Sequence, residues 1–131
     1  MHILDTFFRY IELSKSLPEE LRPVLIFTAL EILFSRIIEF SDERRLKKMI
    51  CRITPKRRIL SGLSILRKYG FLDHEQYEEI RRVIRVLRCH RNAVVHPVCR
   101  SMCRPIDWNE VEKAIEILVD AAKRFLTSRS R

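Results

Sequence analysis

The hexapeptide Arg91-Asn92-Ala93-Val94-Val95-His96 places a fixed cation, an amide and an imidazole close together in the chain. These are groups that can cleave a phosphodiester without a metal. A guanidinium neutralises charge on phosphoryl oxygens, and an imidazole, with an ordinary pKa of about 6.5, moves a proton near neutrality. Continuing the helical phase of the preceding segment gathers Ile80, Val83, Ile84, Leu87, Val94 and Val95 on one face, with Arg91 inside that apolar arc. Arginine is rarely buried without a partner, so an anion is expected against Arg91. By the same phase Arg81, Arg85, Arg88, Asn92 and His96 form a neighbouring stripe, a cationic track that leads to the histidine. Arg81, Arg85 and Arg88 are therefore the candidate RNA-binding residues. On an ideal helix Arg91 and His96 lie about 140° apart. For both to reach one phosphate, either the helix unwinds near Val95 or two chains meet there.

Each residue also has an ordinary structural role. Arg91 could cap helical carbonyls or pair with a glutamate, and His96 could be satisfied by a backbone group. Asn92, four residues before His96, either orients the imidazole or serves as a helix C-cap. Glu31, an acid on an otherwise apolar segment, is a candidate supporting acid for Arg91 or His96, or simply an ion-pair partner of a nearby cation. His90 falls on the side of the helix opposite Asn92 and reads as a core histidine. Trp108 reads as a packing anchor.

The stretch from Arg57 to Pro97 contains Leu63, Leu66, Gly70-Phe71-Leu72, a helix rich in Ile and Val, and then Arg-Asn-Ala-Val-Val-His-Pro. It resembles HEPN domains, in which an Arg-Asn-x-x-x-His motif ends or follows a long helix of an all-helical bundle. Motif and approach cover roughly a third of the chain; the other helices match in number and order only. The resemblance implies a metal-independent endoribonuclease, toxin-like or defence-like, with Arg91, Asn92 and His96 as catalytic residues and no cofactor. It also implies a homodimer in which two motifs face each other across one cleft. Toxins of this kind paired with a nucleotidyltransferase antitoxin often carry a tyrosine two positions after the histidine. This chain has Val98 there, which puts that route of regulation in doubt.

A chain of 131 residues reads most economically as one domain, residues 1–131, able to bury a core without metal or disulfide support. With only 2 glycines, and with apolar residues recurring every three and four positions, the expected class is all-α. The 26 basic residues outnumber the 17 acidic ones, for a net charge of +9, which favours polyanionic partners, RNA first. Arg44, Arg45, Lys47, Lys48, Arg52, Lys56, Arg57 and Arg58 form one cluster; Arg124, Arg129 and Arg131 form a second. Both suit RNA contact or a solvated surface. Few aromatics interrupt them, so contact with phosphates is expected to outweigh base stacking. Three Asn and Gln residues against 43 charged ones lean toward a thermophile's composition.

Met1-His2-Ile3-Leu4-Asp5 has no basic leader followed by an apolar core, and the longest apolar run, Val24 to Phe34, falls short of the ~20 residues of a membrane span. A cytoplasmic protein with no membrane partner is expected. Cys89, His90, His96, Cys99 and Cys103 fit no familiar zinc spacing, so no metal is expected. The cysteines read as small apolar residues, with a Cys99–Cys103 disulfide conceivable in a hyperthermophile.

The pattern predicts a first helix from about Ile3 to Ser16, with Ile3, Leu4, Phe7, Phe8 and Ile11 inward. A central helix follows from near Pro23 through Phe40, and then a short basic helix capped by Ser41. Thr54-Pro55 starts the next helix and Gly70 ends it. Asp73 and Gln76 form a capping box for the motif helix, stapled by Leu72 and Tyr77, and Pro97 halts that helix at about Val95. A loop with Cys99 and Cys103 leads to a second capping box, Asp107 with Glu110, and a last helix burying Val111, Ile115, Leu118, Ala122 and Phe125. The expected product is an antiparallel helical bundle of four main helices plus one short helix.

The reading that results is an endoribonuclease giving 2′,3′-cyclic phosphate and 5′-hydroxyl ends. The alternative is a non-catalytic module of the same scaffold that binds RNA, a nucleotide or a nucleotidyltransferase partner. A helix-turn-helix DNA binder fits less well, because no recognition helix stands apart from the core pattern.

Overall fold

The apolar periodicity resolves into helices throughout. The computed structural model describes residues 4–129, and no strand occurs among them. Ile3 and Arg131 lie outside the described residues, as do Met1 and His2. The helices are α1 (Asp5–Ser14), α2 (Arg22–Glu39), α3 (Arg44–Met49), α4 (Pro55–Lys68), α5 (His74–Val95) and α6 (Trp108–Arg129). Short 3-10 segments cover Glu19–Leu21 and Pro97–Met102. The four long helices α2, α4, α5 and α6 form an all-α bundle, with α1 packed on α2.

Helix α2 is apolar around most of its circumference, which suits a helix enclosed by others. Ala29, Leu33, Phe34, Ile37 and Ile38 are fully buried, and α2 touches α1, α4, α5 and α6. From α4, Ile59, Leu63 and Leu66 complete the core; Ile80, Ile84 and Leu87 do so from α5, and Leu118, Ala122 and Phe125 from α6, as their spacing predicted for these two helices. The start and stop signals also hold. The Thr54 hydroxyl accepts the Arg57 N–H, and Gly70 adopts φ +82° just past α4, where a side chain would be strained. Asp73 and Gln76 exchange both bonds of a capping box, at 2.8 and 3.1 Å.

Several boundaries and faces differ from the sequence reading. Ser41 does not cap α3. Its hydroxyl donates to the Ile38 carbonyl and accepts the Glu43 N–H, so it closes α2 instead. Phe8 is exposed, with Lys123 over its ring, because α1 covers the bundle on one side only. At α6, Asp107 accepts the N–H groups of Asn109 and Glu110, but no return bond from Glu110 occurs among the described residues. Ile115 is only partly buried. The loop between α2 and α3 is tied outward by Glu43–Lys68 at 2.9 Å and Asp42–Arg129 at 2.8 Å. The bond from Glu43 raises Lys68 above the ordinary amine range.

Gly62 sets the closeness of α2 and α4. A Cβ there would stand 2.6 Å from Phe34 Cδ1 and 2.8 Å from Phe34 Cβ, and the latter cannot swing away. The clash should cost about 1–3 kcal/mol and exceed the ~1 kcal/mol gained in helix propensity. Gly62→Ala is therefore expected to lower the urea midpoint and Gly62→Val to lower it further; a Gly62→Ala protein as stable as the parent would show that α4 can move away freely.

Candidate active site

The geometry of the Arg-Asn-x-x-x-His segment follows from where α5 stops. Proline at 97 disfavours helical ψ at the preceding residue and supplies no N–H to continue the ladder. Helix α5 accordingly ends at Val95. His96 still donates its N–H to the Asn92 carbonyl at 3.0 Å, but its own backbone turns to φ −122°, ψ 78°. His96 is thus released from the helix, the first of the two routes by which it and Arg91 can share a surface. Asn92 is not the C-cap residue, a position His96 occupies, and its amide does not hydrogen-bond the imidazole.

The chain then folds back as the 3-10 segment Pro97–Met102 and is clamped to α5 at two adjacent positions. Cys89 is disulfide-bonded to Cys103, and His90 Nε2 donates to the Arg104 carbonyl at 2.6 Å. The disulfide is therefore not Cys99–Cys103; Cys99 is free. Nor are the unpaired cysteines small core residues, because Cys51 and Cys99 are both exposed. His90 is half-buried and held by its backbone partner rather than enclosed in the core.

Between the end of α5, the folded-back segment and Val24 of α2 lies an open groove of about 920 Å³. Arg91, Asn92 and His96 all line it, together with Arg85 and Arg88. Arg91 is partly buried, and its partner is a ring rather than the expected anion: its guanidinium stacks 4.4 Å from the centroid of Phe27 on α2. Cation–π contact accounts for an arginine on an apolar face. Among the described residues no carboxylate pairs with Arg91 or His96, so the N–H edges of the guanidinium are available to a ligand. Glu31 does not join them. It lines a separate groove with Arg36, Glu39 and Arg58.

Val95, expected in the apolar arc, is 74% exposed because the helix has run past the core by that point. With Val98 and Met102, each 84% exposed, it forms an apolar rim beside the groove. Trp108 is occupied away from the groove, with Arg22 stacked on its ring and its indole N–H donated to Glu19. Among the described residues no three His, Cys, Asp or Glu side chains gather as a metal site would require, and no helix is long and apolar enough to cross a membrane. No family model, curated protein or solved structure matches this chain.

Sequence reasoning missed Phe27 and the Cys89–Cys103 bond. Phe27 lies 64 positions before Arg91, and only the docking of α2 on α5 brings the two together. Cys89 carried no local signal, because its pairing is set by how the segment after Pro97 folds back on α5.

Cross-linking across 14 residues restricts the unfolded chain by about 3 kcal/mol on the entropic account. Reduction, or Cys103→Ser, should lower stability by about that amount and speed amide exchange over 96–104, whereas Cys99→Ser should do neither. Equal exchange in oxidised and reduced protein would show that the segment holds its place without the bond.

Proposed function

We propose that the protein is a metal-independent endoribonuclease whose reaction takes place in the groove at the end of α5. The observation that carries this reading is that Arg91, Asn92 and His96 line one groove where the helix stops, with the polar edges of Arg91 uncommitted. The ribose 2′-hydroxyl attacks the adjacent phosphorus and the 5′-oxygen leaves, giving a 2′,3′-cyclic phosphate and a 5′-hydroxyl. His96 transfers a proton as general base or acid, and Arg91 stabilises the charge that builds on the phosphoryl oxygens. Asn92 contributes an amide to the wall of the groove and contacts the substrate. Arg85 and Arg88 extend the cationic surface along which the strand approaches.

A second copy of the chain completes the site in this reading. One imidazole serves as base and its twin as acid, a division of labour that a single His96 cannot supply within one step. The exposed apolar rim of Val95, Val98 and Met102 offers the contact surface beside the groove. The cytoplasm is the expected setting, and an antitoxin such as a nucleotidyltransferase is a candidate regulator, without the tyrosine that such enzymes modify. A non-cleaving module is the second reading. It is favoured by one observation: no side chain among the described residues holds the His96 imidazole in a fixed orientation, as general bases usually require.

Incubated with RNA in EDTA, the protein should produce cyclic-phosphate and 5′-hydroxyl ends and leave DNA intact. His96→Ala and Arg91→Ala should each lower the rate roughly 10² to 10⁴-fold while preserving helix content. Cleavage that persists unchanged in His96→Ala would end the proposal, and intact RNA under all conditions would favour the binding module. Light scattering should give a dimer mass for the parent and a monomer for Val98→Glu with Met102→Glu, with activity lost alongside; an active monomer would overturn the composite site.

A further inference from the structure

The cations on α5 do more than approach the motif. On the side of α5 facing α4, a smaller and more enclosed pocket of about 280 Å³ is ringed by Lys56, Arg81, Arg85 and Arg88. Its floor is apolar, made of Phe27, Leu60 and Ile84, and no acid lines it. Four like charges ring this small space, Arg81 and Arg88 partly buried and Lys56 and Arg85 exposed, an arrangement that favours entry of an anion. Neutralisation from within the protein is slight. Arg81 has only Glu78, at 3.9 Å and beyond hydrogen-bonding range, and Lys56, Arg85 and Arg88 form no ion pair among the described residues. The Nε of Arg88 is buried with no hydrogen-bond partner, an orphaned donor of the kind proteins usually satisfy.

The pocket also adjoins the motif groove. Arg85 and Arg88 line both, and Phe27 forms the floor of one while carrying Arg91 of the other. From Arg88 to His96 is about 12 Å along α5, and from Arg81 about 22 Å, at 1.5 Å per residue. A stacked strand rising about 3.4 Å per nucleotide would cover that span in roughly four to seven nucleotides. The enclosed space admits a phosphate with its sugar and excludes a duplex.

We infer that the pocket between α4 and α5 is a second phosphate site for a single RNA strand, with Lys56 as the positioning residue supplied by α4. It holds a phosphate several nucleotides from the scissile linkage and so sets a minimum substrate length. The inference rests on the RNA reading above but not on cleavage, because a strand can be held here whether or not it is cut at His96.

The test is binding of 2′-O-methyl RNA, which cannot be cleaved, in lengths of 4, 8 and 12 nucleotides to the full protein across a salt series. The parent should gain affinity on the order of tenfold between 4 and 8 nucleotides, a charged hydrogen bond's share. Lys56→Ala and Lys56→Glu should abolish that gain and reduce the salt slope by about 0.7 per charge removed, Lys56→Arg should retain it, and binding of the 4-mer should be unchanged. A Lys56→Ala protein with the full length-dependent gain would overturn the site, as would a parent that binds all three lengths alike. If the parent cuts RNA yet Lys56 is indifferent, the nuclease stands and the second site falls. If the length effect depends on Lys56 but unmodified RNA stays intact, the second site stands and the nuclease falls.

Discussion

A five-membered ring fixes the geometry on which the groove depends. Pro97 cannot extend α5, so His96 is turned out of helical register one residue after Val95, and the imidazole lines the same groove as a guanidinium that would otherwise project about 140° away. Had the helix run another turn, Arg91 and His96 would serve different surfaces. The disulfide and the His90 bond then keep the segment after the proline folded against α5, so the break becomes one wall of a groove rather than a frayed end.

The second constraint is the use of aromatic rings to hold cations where carboxylates are scarce. Arg91 rests on Phe27, Arg67 on Tyr77 and Arg22 on Trp108. A ring holds a guanidinium in place without cancelling its charge. In a chain of net charge +9, the charge of Arg91 at the end of α5 is thereby kept while its stem packs. The α4–α5 pocket likewise gathers cations around an apolar floor with no acid in its lining.

Local chemistry made much of this legible in the sequence. Thr54-Pro55, Gly70, the Asp73–Gln76 box and Pro97 act within a few residues of themselves, and each bounds its helix where its residue type requires. The inner face of α5 followed from period alone because that helix has one apolar side. What sequence could not supply came from contacts between distant elements: Phe27 beneath Arg91, Lys56 beside Arg85, and Glu31 turned into another groove. Ser41 was misassigned because a hydroxyl between two helices can satisfy either neighbour, and the orphan carbonyl of Ile38 lay nearer. Val95 was misassigned because helical phase says which side a residue faces but not where the core beneath it ends.

The packing of Trp108 also gives the molecule an internal gauge. It is the sole tryptophan, and at the start of α6 it meets two residues, Glu19 and Arg22, that lie nearly ninety positions earlier. Its emission therefore reports on the junction that joins the amino-terminal third to the final helix. Ultraviolet fluorescence can thus follow closure of the whole chain without an added dye.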